Sequence, residues 1–219
     1  MRVVIAGGHG QIALHLQRLL TARGDSAVGL VRNPEHEADL RDIGGQPVVL
    51  DLEHTDERAV AQVLEGADAA VFAAGAGPGS GIARKDTVDR AAADLFAAAA
   101  ERAGVRRHLL VSAMNVDREP PPETSEVFAA YLQAKAASEL ALRTMDLDWT
   151  VLRPGRLTND EPTGTVSLGE DLERGEVSRA DVAAVLLALL DEPRTAGRTL
   201  AVIGGPTPVA DAVANVLTH

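Results

Sequence analysis

Tyr131 and Lys135 stand four residues apart in Tyr131-Leu132-Gln133-Ala134-Lys135, downstream of Ser112. At this spacing on a helix two side chains share a face, with Cβ atoms roughly 5–6 Å apart. A phenol of ordinary pKa ~10 is a weak acid–base group near neutrality. An ammonium beside it favours the phenolate and lowers that pKa. The trio suits proton delivery to a carbonyl, with Tyr131 as acid, Lys135 as cation and Ser112 as the hydroxyl that orients the substrate. On that reading Tyr131→Phe lowers turnover strongly and spares cofactor affinity. The pair also fits an ordinary helix edge. Phe128, Leu132, Ala136 and Leu140 form the neighbouring apolar stripe, which puts Tyr131 and Lys135 at the border of the buried face.

A second constellation opens the chain. Gly7-Gly8-His9-Gly10-Gln11-Ile12-Ala13 follows the apolar run Val3–Ala6 and leads into helical periodicity. A strand that ends in a glycine turn and feeds a helix presents free N–H groups and the positive end of the helix dipole to a phosphate. The spacing is G-x-x-G-x-x-A, not the G-x-G-x-x-G of ordinary dinucleotide sites. Without a ligand, the same residues make a tight strand-to-helix turn.

Arg32 ends the second apolar run, where a carboxylate would accept from the adenosine ribose of NAD. A guanidinium there pairs a 2′-phosphate instead, which favours NADP(H) and leaves NAD(H) possible. A solvated surface arginine is the other reading. Asp51 and Leu52 end the third run. They suit the amino group and ring face of adenine, or Asp51 serves as an acid near the start of the helix at Thr55. Ala73, Ala74 and Gly75 end the fourth run, small enough for a cofactor to lie on backbone or for a helix to pack closely.

The elements that must position these residues alternate along the whole chain. Strands are expected at 2–6, 26–32, 47–51, 68–74, 107–112 and 148–153. Helices are expected at 10–23, near 34, at 55–65, over a continuous 84–103 and at 123–145. Continuous apolar runs such as Leu109-Leu110-Val111 mark strands covered on both faces. The pattern predicts a doubly wound parallel α/β sheet, a Rossmann fold of strand order 3-2-1-4-5-6, over one domain spanning 1–219. Residues 155–178 break the regularity and read as a substrate-facing insertion, with short strands near 165–167 and 176–178. Arg156, Asn159, Thr163 and Thr165 are its candidate contacts. Helix 179–190, strand 199–203 and a last helix after Pro208 complete the chain.

Composition bounds the rest. The 219 residues are 46% hydrophobic with only five aromatics, so the core must be aliphatic and alanine-rich. A net charge of −11 disfavours nucleic acid and anionic membranes as partners. Without cysteine there is no disulfide, thiolate catalysis or zinc–thiolate site, and the histidine spacing suggests no metal. The apolar run Val182–Leu190 is too short to span a membrane, so a cytoplasmic protein with a small-molecule substrate is expected. Oligomeric state is not legible.

Taken in order, Gly7 to Ala13, Arg32, Asp51-Leu52, Ala73 to Gly75, Ser112, Tyr131/Lys135 and Arg153-Pro154-Gly155 resemble the atypical short-chain dehydrogenase/reductases. The likeness is to the small NAD(P)H-binding group that includes NmrA-like proteins and biliverdin/flavin reductases. That resemblance implies Gly7, His9, Gly10, Gln11 and Ile12 at the pyrophosphate, Arg32 at the 2′-phosphate, and Asp51 and Leu52 at adenine. It also implies Lys135 at the nicotinamide ribose and backbone near Pro154 at the carboxamide. Classical members carry an Asn in the helix before the fifth strand, and 84–103 contains none. The function implied is NADPH-dependent reduction of a small carbonyl, quinone or flavin-like acceptor. The alternatives are a non-catalytic NAD(P)(H) sensor and, further off, a sugar-nucleotide epimerase or dehydratase.

Overall fold

In the computed structural model, which describes residues 1–77 and 79–218, the first strand β1 (Arg2–Ala6) lies in the interior of the chain's main sheet. His219 falls outside the described residues. β1 has parallel neighbours on both sides, β2 (Ser26–Val31) and β4 (Ala69–Phe72). β3 (Gln46–Val49) extends the sheet beyond β2, while β5 (Arg107–Val111) and β6 (Asp148–Pro154) extend it beyond β4. The order is therefore 3-2-1-4-5-6, as the alternation predicts. Val3 and Ile5 face one helical layer and Val4 and Ala6 the other, so an unbroken apolar run fills two cores at once.

One core lies under α1 (Gln11–Ala22), α7 (Arg179–Leu190) and α8 (Val209–Asn215). The other lies under α3 (Glu57–Leu64), α5 (Ala92–Arg102) and the end of α6 (Glu126–Leu142). α2 (Glu37–Asp42) buries Leu40 against Gly29, where a Cβ would come within 2.4 Å of the leucine. Alanines 93, 97 and 100 let α5 sit close to the sheet, and Phe72 and Phe96 fill the layer at 6.0 Å between ring centroids.

Three boundaries depart from the sequence reading. The long helix expected over 84–103 is present but changes its winding. A short α4 (Ile82–Arg84) runs into a π-helical stretch, Lys85–Ala91, before α5 begins. The wide turn rotates Lys85, Val88 and Asp89 inward, and such turns are common at functional sites. α6 starts at Glu126 rather than 123, because the Ser125 hydroxyl caps the Phe128 amide. Its buried face is Leu132, Ala134, Lys135, Ser138, Glu139 and Leu142, whereas Phe128 and Leu140 are 53% and 65% exposed. The predicted stripe was rotated too far, since a buried lysine and glutamate displaced its apolar members.

Within 155–178, β8 (Thr165–Gly169) returns to the main sheet and pairs antiparallel with β10 (Arg198–Gly204), which continues the sheet beyond β6. β11 (Thr207–Pro208) closes that edge. β7 (Arg156–Thr158) and β9 (Glu176–Ser178) form a separate parallel pair. No helix among the described residues is long and apolar enough to cross a membrane.

His108 on β5 is 1% exposed, and neither ring nitrogen finds a partner among the described residues. Burial, with the Arg107 charge added, pushes it down from 6.5 to about 3. The folded state therefore holds it neutral. Its contribution is intact above about pH 6.5 and is lost as pH falls from there toward 3. His108→Leu is expected to gain about 2 kcal/mol over the wild type at pH 5 relative to pH 8, read by urea unfolding at both pH values. An unchanged pH dependence would contradict the assignment.

Candidate cofactor and active site

The glycine turn is shaped by how closely three strand ends approach. Gly7 has φ +77, and a Cβ on it would fall 2.6 Å from the Ala74 Cα. A Cβ on Gly8 would fall 2.7 Å from the Gly29 Cα. The Gly8 amide donates to Leu30 O at 2.8 Å, and the Gln17 side-chain amide donates to Gly8 O at 2.7 Å. The turn is thus pinned between β2 and β4. Gly10 precedes α1, which has no side-chain cap and no acid in its first turn. Among the described residues, the amides of Gln11, Ile12 and Ala13 have no acceptor. By contrast, Asp56, Ser125 and Ser178 cap α3, α6 and α7. Uncapped amides at the end of a twelve-residue helix suit an anion.

A cleft of about 270 Å³ opens over these strand ends. Of the residues selected from sequence, Gly7, His9, Gly10, Arg32, Asp51, Leu52, Ala73, Ala74 and Gly75 line it together. Gln11 and Ile12, which follow the cleft-lining Gly10, do not. The Gln11 side chain instead borders a second cavity of about 320 Å³ between α1 and residues 158–162, and Ile12 belongs to the core. Asn159 borders that second cavity too. The other candidate contacts of the insertion are used internally. Arg156 pairs with Glu176, the Thr163 amide donates to Asp181, and Thr165 lies in β8. Pro154 is buried in β6, and its carbonyl accepts from the Met114 amide at 3.2 Å.

The end of the cleft beside Arg32 and Asp51 contains two side chains that sequence reading missed. Glu53 accepts from Arg84 Nη2 at 2.6 Å and Thr87 Oγ1 at 2.6 Å, with Arg32 Nη1 at 3.5 Å. Arg84 holds the Glu53 carboxyl below the usual carboxylate range. Glu53 and Arg84 both line the cleft. Their only sequence signal is position, since Glu53 follows Asp51-Leu52 directly, and Arg84 reaches the cleft only through the loop after β4. Asp51 does not act as a helix acid. It accepts from the Glu53 amide at 3.0 Å and pairs with His54 at 2.9 Å, while Asp56 caps α3.

At the opposite end the proposed catalytic trio is differently engaged. Ser112 Oγ donates to Glu139 Oε1 at 2.6 Å inside the protein. That carboxylate also receives Arg153 Nη2 at 2.7 Å and Arg143 Nη2 at 2.9 Å. Lys135 Nζ donates to Val111 O at 3.1 Å and Ala74 O at 3.5 Å, and lies 3.4 Å from Asp89 Oδ1. The ammonium is thereby turned toward protein groups, and Lys135 is not among the residues that line the cleft. Burial pushes the Tyr131 phenol up, and the Asp89 charge adds to the rise. This corrects the expectation that Lys135 lowers it, because Asp89 neutralises the lysine and buried phenolate is disfavoured. Tyr131 stacks on Phe128 at 5.7 Å and 25°.

Comparison with known proteins now has a geometry to act on. The model of a family described as NAD(P)H-binding matches residues 7–193. The chain belongs to this NAD(P)H-binding family, among the atypical short-chain dehydrogenase/reductases. It is 36% identical over 214 residues to the uncharacterized sugar epimerase YhfK of Bacillus subtilis, covering 97% of this chain and 99% of that protein. A Bacillus halodurans structure, provisionally titled an NAD-dependent epimerase/dehydratase, is 33% identical with TM-score 0.89, covering 98% of this chain and 99% of that one. The anaerobillin reductase ChuY of Escherichia coli O157:H7 is 25% identical with TM-score 0.75, over 94% and 100% of the two chains.

The Ser112 bond makes a prediction separate from cofactor binding. Ser112→Ala is expected to lower stability by about 1–2 kcal/mol, the cost of removing a hydrogen bond to a buried charge, and to leave cofactor affinity unchanged. Urea unfolding and a cofactor titration test both halves.

Proposed function

We propose that this protein binds NADP(H) in the cleft and reduces a small acceptor, with a quinone or flavin-like ring favoured over a simple carbonyl. The observation that carries the reading is the convergence of nine sequence-selected residues on one cleft beside uncapped helix amides. Gly7, Gly10 and the first amides of α1 hold the pyrophosphate. Arg32 takes the 2′-phosphate, because its contact to Glu53 is long and its side chain is 56% exposed. Asp51 and Leu52 face adenine. Ala73, Ala74 and Gly75 let the nicotinamide half lie on backbone. When bound, the reduced coenzyme supplies a hydride.

The acceptor class follows from the proton. A simple carbonyl needs a positioned acid, whereas Ser112 and Lys135 are held by protein partners and burial makes the Tyr131 phenol a weaker acid. A quinone or flavin-like ring spreads the charge it gains, so water can protonate it. Such rings also suit the Phe128–Tyr131 pair, one member of which is half exposed. The engaged trio gives the sensor reading its own support, and that reading predicts binding without turnover. Epimerisation, which the names of two relatives suggest, would need room for a sugar nucleotide. β8 instead commits residues 165–169 to the sheet.

Titration should show tighter binding of NADPH than NADH. Arg32→Ala should weaken NADPH about tenfold, the usual worth of one charge-assisted pair, and spare NADH. Absence of binding by either coenzyme would end the dehydrogenase reading. With a quinone acceptor, loss of NADPH absorbance should slow by less than about tenfold in Tyr131→Phe, whereas a true acid would contribute about a hundredfold or more. No turnover with quinones, flavins or carbonyls would favour the sensor.

A further inference from the structure

Of the chain's 21 lysines and arginines, only Lys85 and Lys135 are lysines. Surface lysine is absent, yet both are buried, at 8% and 3% exposure, and both sit beside the single tyrosine's helix. Between them lies Asp89, fully buried and turned inward by the π-helical stretch. Asp89 Oδ2 accepts from the Ala76 amide at 3.2 Å. Its Oδ1 has no hydrogen-bond donor and faces Lys135 Nζ at 3.4 Å, an ion pair looser than a hydrogen bond. A Cβ on Gly75 would lie 3.2 Å from that oxygen. Lys85 Nζ donates to Gly77 O at 3.0 Å and stands 5.5 Å from the Tyr131 ring centroid. The three charges therefore grip the backbone just after β4 at Ala74 O, Ala76 N and Gly77 O.

That backbone includes the wall of the cleft, through Ala73, Ala74 and Gly75. We propose that Asp89 is the positioning residue of the nicotinamide-side wall, holding Lys135 and the Ala74–Ala76 backbone in the arrangement that receives the coenzyme. The proposal rests on the cofactor reading above and goes beyond it in assigning a residue of the π-helical turn. Apolar side chains could pack this loop at no electrostatic cost, so a pure packing role gives no reason to bury three charges. The cluster carries a net positive charge, which suits an anionic guest.

Charges facing Lys135 fix what removal of Asp89 would do. Burial pushes the ammonium down from its ordinary value, and Asp89 is the main opposing influence. Glu139 on the same helix acts in the same sense as Asp89, and Lys85 acts against it. The neutral Tyr131 phenol, the Phe72 ring and two carbonyls complete the surroundings. Loss of the Asp89 charge thus favours neutral lysine.

The test uses protein labelled with 13C at lysine Cε, which gives two resonances, assigned through Lys85→Arg. In Asp89→Asn the Lys135 resonance should titrate at lower pH than in the wild type. NADPH affinity should fall about tenfold, and the loss should deepen as pH rises through the variant's lysine midpoint. A structural defect alone would weaken binding equally at every pH. Equal affinity and an equal pH profile, in a wild type that binds NADPH, would overturn the role of Asp89 alone. A wild type that does not bind NADPH would overturn the cofactor reading itself. If Asp89→Asn does not fold, the wild type still decides, because NADPH must shift the Lys135 resonance, and an unmoved resonance sinks the proposal.

Discussion

The closeness of β1, β2 and β4 at their C-terminal ends is the constraint on which the site depends. Gly7 and Gly8 meet Ala74 and Gly29 at distances that leave no room for a side chain. Chain reversal in that space needs the positive φ of Gly7. It also delivers α1 with its first amides bare, because the N-cap residue Gly10 has no side chain to cap them. A protein of net charge −11 can in this way offer an anion a local field of opposite sign.

Around that turn, three carboxylates organise the cations. Glu53 gathers Arg32 and Arg84 at one end of the cleft. Asp89 pairs with Lys135 behind the opposite wall. Glu139 joins Arg143, Arg153 and Ser112 beneath the end of β5. Each acid is paired with at least one cation, so none presents an unpaired negative charge to a phosphate. Burial of Asp89 and Glu139 makes the arrangement rigid, because removing one member leaves an unpaired charge in a poorly solvated place. The two ends of the cleft differ in kind. Arg32 is exposed and loosely held, able to turn to a ligand, while Lys135 is enclosed and saturated.

Much of this was legible before any coordinates. Two-sided covering of the sheet followed from unbroken apolar runs, because a strand covered on both faces does not alternate, and strand order followed from the alternation of strand and helix. The cleft residues followed from their places at strand ends, because parallel strands bring all those ends to one edge. The catalytic trio was less legible. Spacing put Tyr131 and Lys135 on one helix face, but spacing says nothing of what packs against that face. The π-helical turn had no signature in Lys85–Ala91, and without it Asp89 would not have been expected beside Lys135.

The sequence alone settled the α/β class, the central glycine turn and the set of residues at the strand ends, since these rest on local periodicity and on backbone freedom at single positions. Tertiary structure decided which charges meet. Asp89 and Lys135, Glu53 and Arg84, and Ser112 and Glu139 are joined only by packing of separate elements. Such pairings fix which charges are neutralised beside the cleft, and a linear chain carries no record of them.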